Sequence, residues 1–129
     1  MDENVKLIEL LQSFHAISEQ LSIALKEVKN PFVRDSAVLR FELCFELFWK
    51  ILREFARGKG LIVNSPKDSV RIAFQLGAVD NDRVYLEMID TRNLLVHTYD
   101  VDYAEEIYKL LPDYSMAMNK AIAKLKQLI

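Results

Sequence analysis

The sequence predicts an all-α protein, an antiparallel helical bundle with short connections. Three observations carry this. Apolar residues recur at steps of three, four and seven along much of the chain. Three glycines and three prolines in 129 residues are too few for a turn-rich β fold. Most of these breakers stand where a helical pattern starts or stops.

From Glu3 to about Lys29, Leu7, Leu11, Phe14, Leu21, Leu25 and Val28 make one stripe of a long helix. Asn30-Pro31 ends it and begins the next, with Asn30 as N-cap and Pro31 at the first helical position. The second helix runs from Pro31 to about Arg57. Its stripe is Val38, Phe41, Phe45, Phe48, Leu52 and Phe55, with Leu39, Leu43, Leu47 and Ile51 in a second row. So wide a stripe predicts a central helix with neighbours on more than one side. Gly58-Lys59-Gly60 ends it in a turn. Ser65 then caps a short helix to about Leu76, with Pro66 in first position, Asp68 placed for a capping box and Gly77 closing it. A further helix starts at Asp80 or Asn81. Asp100 or Asp102 caps the last segment, which Pro112 breaks or kinks, leaving a final helix from Tyr114 to Leu128. No repeat, low-complexity stretch or boundary divides the chain, so residues 1–129 read as a single domain.

Apolar residues make up 51% of the chain, charged residues 28%, and the net charge is −2. That balance excludes a broad phosphate-binding surface and leaves room for one small local site. Cys44 is the only cysteine, so neither an internal disulfide nor a thiolate zinc cluster can form. Its neighbours Leu43 and Phe45 mark it as core. The start, MDENVKLIEL, has no basic n-region and no apolar h-region, and no apolar run reaches membrane-spanning length. A cytoplasmic protein with no membrane contact is expected, and no metal or cofactor.

The polar chemistry concentrates in RNLLVHTYD, Arg92 to Asp100. On a helix at about 100° per residue, Tyr85, Met88, Ile89, Leu95, Val96 and Tyr99 share one face with Arg92 at its centre. An arginine in an apolar stripe must find an anion or leave the core. Glu42 and Glu46, one turn apart on the second helix, are the candidates, and either can serve. Their alternative is a surface row with Lys50. Asp90, Asn93 and His97 fall on a different, polar face. Arg92 and His97 lie about 140° apart, so they converge only if the helix changes near His97 or a second copy completes the site. His15, and Trp49 with the other second-helix aromatics, read as structural. Lys120, Lys124 and Lys126 read as a solvated face.

RNLLVHTYD fits the R-x4-H-x-Y signature of HEPN domains. FELCFELFWKIL, SPKDSVRIAFQLG and YLEMIDTRNLLVHTYD followed by AEEIY resemble, in order, the nucleotidyltransferase substrate-binding branch of that family. The resemblance covers about residues 5 to 125. It implies an up-and-down four-helix bundle, here with an extra short helix, that forms homodimers and partners a minimal nucleotidyltransferase in a toxin–antitoxin type pair. The alternative it implies is a metal-independent endoribonuclease that acts on RNA and is silenced when the partner adds AMP to the motif tyrosine. Carried over, the catalytic roles fall on Arg92 and His97 with Asn93 in support, and the modified residue is Tyr99. Such chemistry needs a proton carrier near neutral pH and a cation for phosphate, which His and Arg supply.

Overall fold

A computed structural model describes the backbone from Asp2 to Ile129 and the side chains from Val5 onward. Five α-helices follow one another: α1 (Asp2–Lys26), α2 (Pro31–Gly58), α3 (Pro66–Gln75), α4 (Arg83–Asn93) and α5 (Val101–Leu128). A 3₁₀ turn, Leu94–His97, separates the last two.

Two starts form by the expected chemistry. Asn30 Oδ1 accepts from the Val33 amide at 2.9 Å, with Pro31 in the first turn. Ser65 Oγ accepts from the Asp68 amide at 3.2 Å. Each satisfies an amide that has no partner within its own helix. Gly77 has φ +83°, a left-handed conformation that closes α3, with the Ala78 amide returning to Ala73 O at 2.8 Å.

The structure corrects several expected boundaries. α1 stops at Lys26, so Val28 lies beyond it and is 87% exposed rather than part of the stripe. α4 starts at Arg83, two or three residues later than Asp80 or Asn81 suggested. Asp80 is instead drawn to Lys120 (3.2 Å) and Lys124 of α5. Those two lysines are therefore not merely a solvated face. Pro112 neither ends α5 nor divides it. The proline is exposed, while Ile107, Leu111, Tyr114 and Met118 carry one buried stripe across it. Packing on both sides outweighs the one backbone hydrogen bond a proline removes.

The direction of each helix follows from its partners. Along α2 and α5 the contacts Arg34–Glu105, Phe41–Tyr114 and Lys59–Leu128 advance together, so these two helices run parallel. Along α4 and α5, Tyr85 meets Ala117 and Thr91 meets Tyr114, so these run antiparallel. α1 opposes α2 through Phe14–Phe48 at its middle and a short four-residue connection. The result is an up-and-down bundle of α1, α2, α4 and α5, with α3 packed against α2 and α4.

α2 is central, as the first of its two apolar rows required; in the second row Ile51 is buried, but Leu39 and Leu43 are exposed. Phe41, Phe45 and Phe48 are fully buried and meet Phe14 of α1, Tyr85 of α4 and Tyr114 of α5. Phe48 and Tyr85 stack with ring centroids 5.6 Å apart. Cys44 lies in this layer, and burial pushes its thiol up to about 12, so it stays protonated. Trp49 departs from the expectation of plain core. It is half-buried, its Nε1 donates to Glu46 Oε2 at 3.3 Å, and Arg53 lies over its ring. The buried carboxylate of Glu54 accepts from Arg53 Nε (3.0 Å) and Arg57 Nη1 (3.3 Å), which satisfies it within its own helix.

Candidate functional site

α4 is fastened to α5 immediately before Arg92. Thr91 Oγ1 and Tyr114 Oη lie 2.8 Å apart, and Tyr114 Oη donates to Glu87 Oε2 at 2.9 Å. Thr91 and Tyr114 are both buried, and burial holds the phenol up at about 12, so it remains a donor. This fixes the rotation of α4 and hence where Arg92 points. Arg92 reaches α2, where its Nη2 lies 2.5 Å from Glu46 Oε1 and its guanidinium sits 6.0 Å from the Phe45 ring centre. Of the two candidate carboxylates, Glu46 takes the arginine and Glu42 does not. Oε1 is buried, yet no donor is aligned on it, so the contact is an ion pair rather than a directed hydrogen bond. Both side chains remain about one-third exposed, 33% and 32%. Arg92 is therefore at the edge of the core and accessible, not sealed within it.

After Asn93 the backbone tightens. Leu94–His97 form the 3₁₀ turn, the Thr98 hydroxyl donates back to Leu95 O at 2.9 Å, and the Asp100 amide returns to His97 O at 2.9 Å. Asp100 Oδ1 then accepts from the Asp102 amide at 2.9 Å and caps α5. A 3₁₀ turn rotates about 120° per residue rather than about 100°, so the apolar stripe loses phase. Leu95 keeps partial burial. Val96 and Tyr99, expected on the core face, are 73% and 84% exposed.

The tightening does not bring Arg92 and His97 together. Arg92 faces Glu46 and Phe45, whereas His97 is exposed beside Tyr99 (ring centres 6.2 Å, edge-on) and Tyr103 (5.4 Å). Asn93 is exposed at the end of α4. The site thus has two parts on one segment, a cation set against α2 and an imidazole among tyrosines. Tyr103 escaped the sequence reading because Asp100 interrupts the helical register between it and His97. Thr91, Glu87 and Tyr114 escaped it because their contact spans two helices. His15 is exposed on α1. Among the described residues, no three His, Cys, Asp or Glu side chains converge on a common point, and no helix is long and apolar enough to cross a membrane.

Residues 5–127 match the family described as nucleotidyltransferase substrate binding protein like. Two solved structures resemble this one over most of its length. A Thermus thermophilus protein is 36% identical with a TM-score of 0.82, over 87% of this chain and 98% of its own. A Haemophilus influenzae protein, described as having the fold of a substrate-binding domain of a nucleotidyltransferase, is 21% identical with a TM-score of 0.75, over 93% of this chain and 98% of its own. No curated protein matches the sequence.

Proposed function

The chain belongs to the nucleotidyltransferase substrate-binding protein-like family, and from that membership we propose that it is the partner subunit of a minimal nucleotidyltransferase. The observation that carries this is the family match across residues 5–127, nearly the whole chain. In the proposed pair, of the toxin–antitoxin type, this subunit presents the segment from Arg92 to Tyr103 to its partner. That segment is exposed, apolar in part and rich in groups that handle nucleotides: a guanidinium for phosphate, an imidazole for proton transfer and tyrosine rings for bases. The test is co-expression with a minimal nucleotidyltransferase from the same genome. A stable complex on gel filtration is expected. Separate elution at micromolar concentration sinks the reading.

A homodimer belongs to the same proposal. Arg92 and His97 point to different neighbours within one chain, and Leu94, Val96 and Val101 leave apolar side chains exposed beside them. A second copy that covers these side chains brings two such segments together. Light scattering should then give about twice the 15.0 kDa chain mass. A fully helical monomer counts against it.

One observation favours the second reading, a HEPN-type endoribonuclease. His97 and Arg92 are both accessible, as a proton carrier and a phosphate-binding cation must be. In that reading the ribose 2′-OH attacks the phosphorus as the P–O5′ bond breaks, His97 carries the proton from the 2′ oxygen to the departing 5′ oxygen, and Arg92 offsets charge in the transition state. Products should end in a cyclic phosphate. His97→Ala should abolish cleavage with the fold intact, and Arg92→Lys should lose most of it because an ammonium cannot make the bidentate contact. The exposed Tyr99 hydroxyl is the acceptor for AMP. The added phosphate would repel RNA two residues from His97, so activity should fall. Wild type and His97→Ala equally inert on total RNA would remove this reading and leave the binding subunit.

A further inference from the structure

A cavity of about 390 Å³ opens between α2 and the 3₁₀ turn. Val38, Leu39 and Leu95 give it apolar walls, Tyr99 contributes its ring, and Asp35 and Glu42 put carboxylates at its edge. Its size suits a nucleoside, and its lining is mixed, with Thr98 and the two carboxylates set against three aliphatic side chains and the tyrosine ring. Three features narrow the occupant. Two carboxylates repel a phosphate from the cavity itself, so what enters is neutral or a hydrogen-bond donor. An aromatic wall suits a flat ring. Glu42 is left without the arginine, which Glu46 takes, while Asp35 accepts from Arg34 Nε at 3.0 Å. Glu42 is therefore the carboxylate available to a ligand.

We infer that this cavity is a nucleobase pocket that prefers guanine, with Tyr99 as the stacking surface and Glu42 as the reader of the base edge. Guanine alone presents two adjacent donors, N1–H and the N2 amino group, which match the two oxygens of a carboxylate. Adenine and cytosine offer one amino donor beside an acceptor, and uracil one N–H between two carbonyls. The placement also suits a nucleotide. Leu95 of the cavity wall follows Arg92 by three residues, and Glu42 precedes Glu46 by four. The Arg92–Glu46 pair thus stands about one helical turn along from Leu95 and Glu42, roughly 5 Å between Cβ atoms. A ribose spans such a gap, leaving the phosphate beside Arg92. The inference rests on the reading that this segment handles nucleotides, and it adds the base and the residue that selects it.

Calorimetric titration of the full chain with GMP, AMP, CMP and UMP tests it. GMP should bind tightest, by at least about tenfold over UMP, as one bidentate base contact provides. Glu42→Gln should erase that preference, because an amide replaces one acceptor with a donor. Tyr99→Phe should keep binding, and Tyr99→Ala should weaken all four nucleotides by about ten- to a hundredfold. Both positions are at least partly exposed, and unchanged helicity by circular dichroism confirms that the variants fold. Equal affinity for the four nucleotides, or no binding, overturns the inference. So does an absence of nucleotide binding in which Glu42→Gln weakens the nucleotidyltransferase complex, since the cavity then receives a basic side chain of that partner. Complex formation is measured in parallel. Guanine preference without a complex keeps the pocket and removes the partner reading, and a complex without nucleotide binding does the reverse.

Discussion

α4 and the segment that follows it carry the same apolar pattern and meet opposite fates. Tyr85 and Met88 are buried, whereas Val96 and Tyr99 are exposed. The difference lies in what holds the backbone. α4 is tied to α5 by Tyr85 Oη donating to Ala117 O at 2.9 Å and by the Thr91–Tyr114–Glu87 contacts. Beyond Asn93 the hydrogen bonds are local turns, through Leu95 O and His97 O, and Leu95 packs against the core. Periodicity predicts a buried face only while the helix that defines the period continues. Where it ends, the same residues are free to serve a ligand or a partner.

The sharpest way to break this contrast is to remove an anchor of the buried side. Phe48→Ala deletes a ring packed between Phe14, Phe45 and Tyr85 and should cost about 3–5 kcal/mol in denaturant unfolding. A cost below about 1 kcal/mol would mean that this layer is not the core. Tyr114→Phe should cost less, about 1–2 kcal/mol, because it deletes one hydroxyl and strips Thr91 and Glu87 of their shared partner. A neutral result would show that α4 is held by packing alone.

Glu46→Gln and Glu42→Gln probe the boundary between the two regions. The Arg92–Glu46 pair is one-third exposed, so solvent screening limits its worth to roughly 1 kcal/mol or less. Glu46→Gln should lower the melting temperature slightly and Glu42→Gln should not. Equal shifts would break the assignment of Arg92 to Glu46.

Acid should act on the ion pairs that join Lys29 and Asp80 to the helices in the same modest way. Lys29 and Arg34 hold the Glu105 carboxyl below its usual range, and Lys124 and Lys120 do the same for Asp80. A lowered folded pKa stabilises above the unfolded value and is lost as pH falls through the folded one. Stability from these pairs is therefore complete at neutral pH and should decline below the ordinary carboxylate range, about pH 4. Glu105→Gln should flatten that decline in a melting-temperature profile, and an unchanged profile would exclude the pair from acid stability. Last, Val96→Ser should move monomer stability by no more than about 0.5 kcal/mol, since the side chain is already in water. A larger loss that depends on protein concentration would instead place Val96 in an interface.

The sequence by itself determined that the chain is helical, the caps at Asn30 and Ser65, and the central place of α2. Those features depend on local chemistry: an Asn or Ser oxygen meeting an amide three residues on, a glycine at positive φ, and an apolar stripe repeating with the turn of the helix. It also offered Arg92 two carboxylates on α2, Glu42 and Glu46, beside the alternative of a surface row with Lys50. Only the tertiary structure chose Glu46, carried α5 through Pro112, drew Asp80 away from α4 to two lysines, turned Val96 and Tyr99 outward and set His97 beside Tyr103. Each of these outcomes sets local preference against packing between helices distant in sequence. The balance is decided by which side chains meet in space, and periodicity along one helix contains no such information.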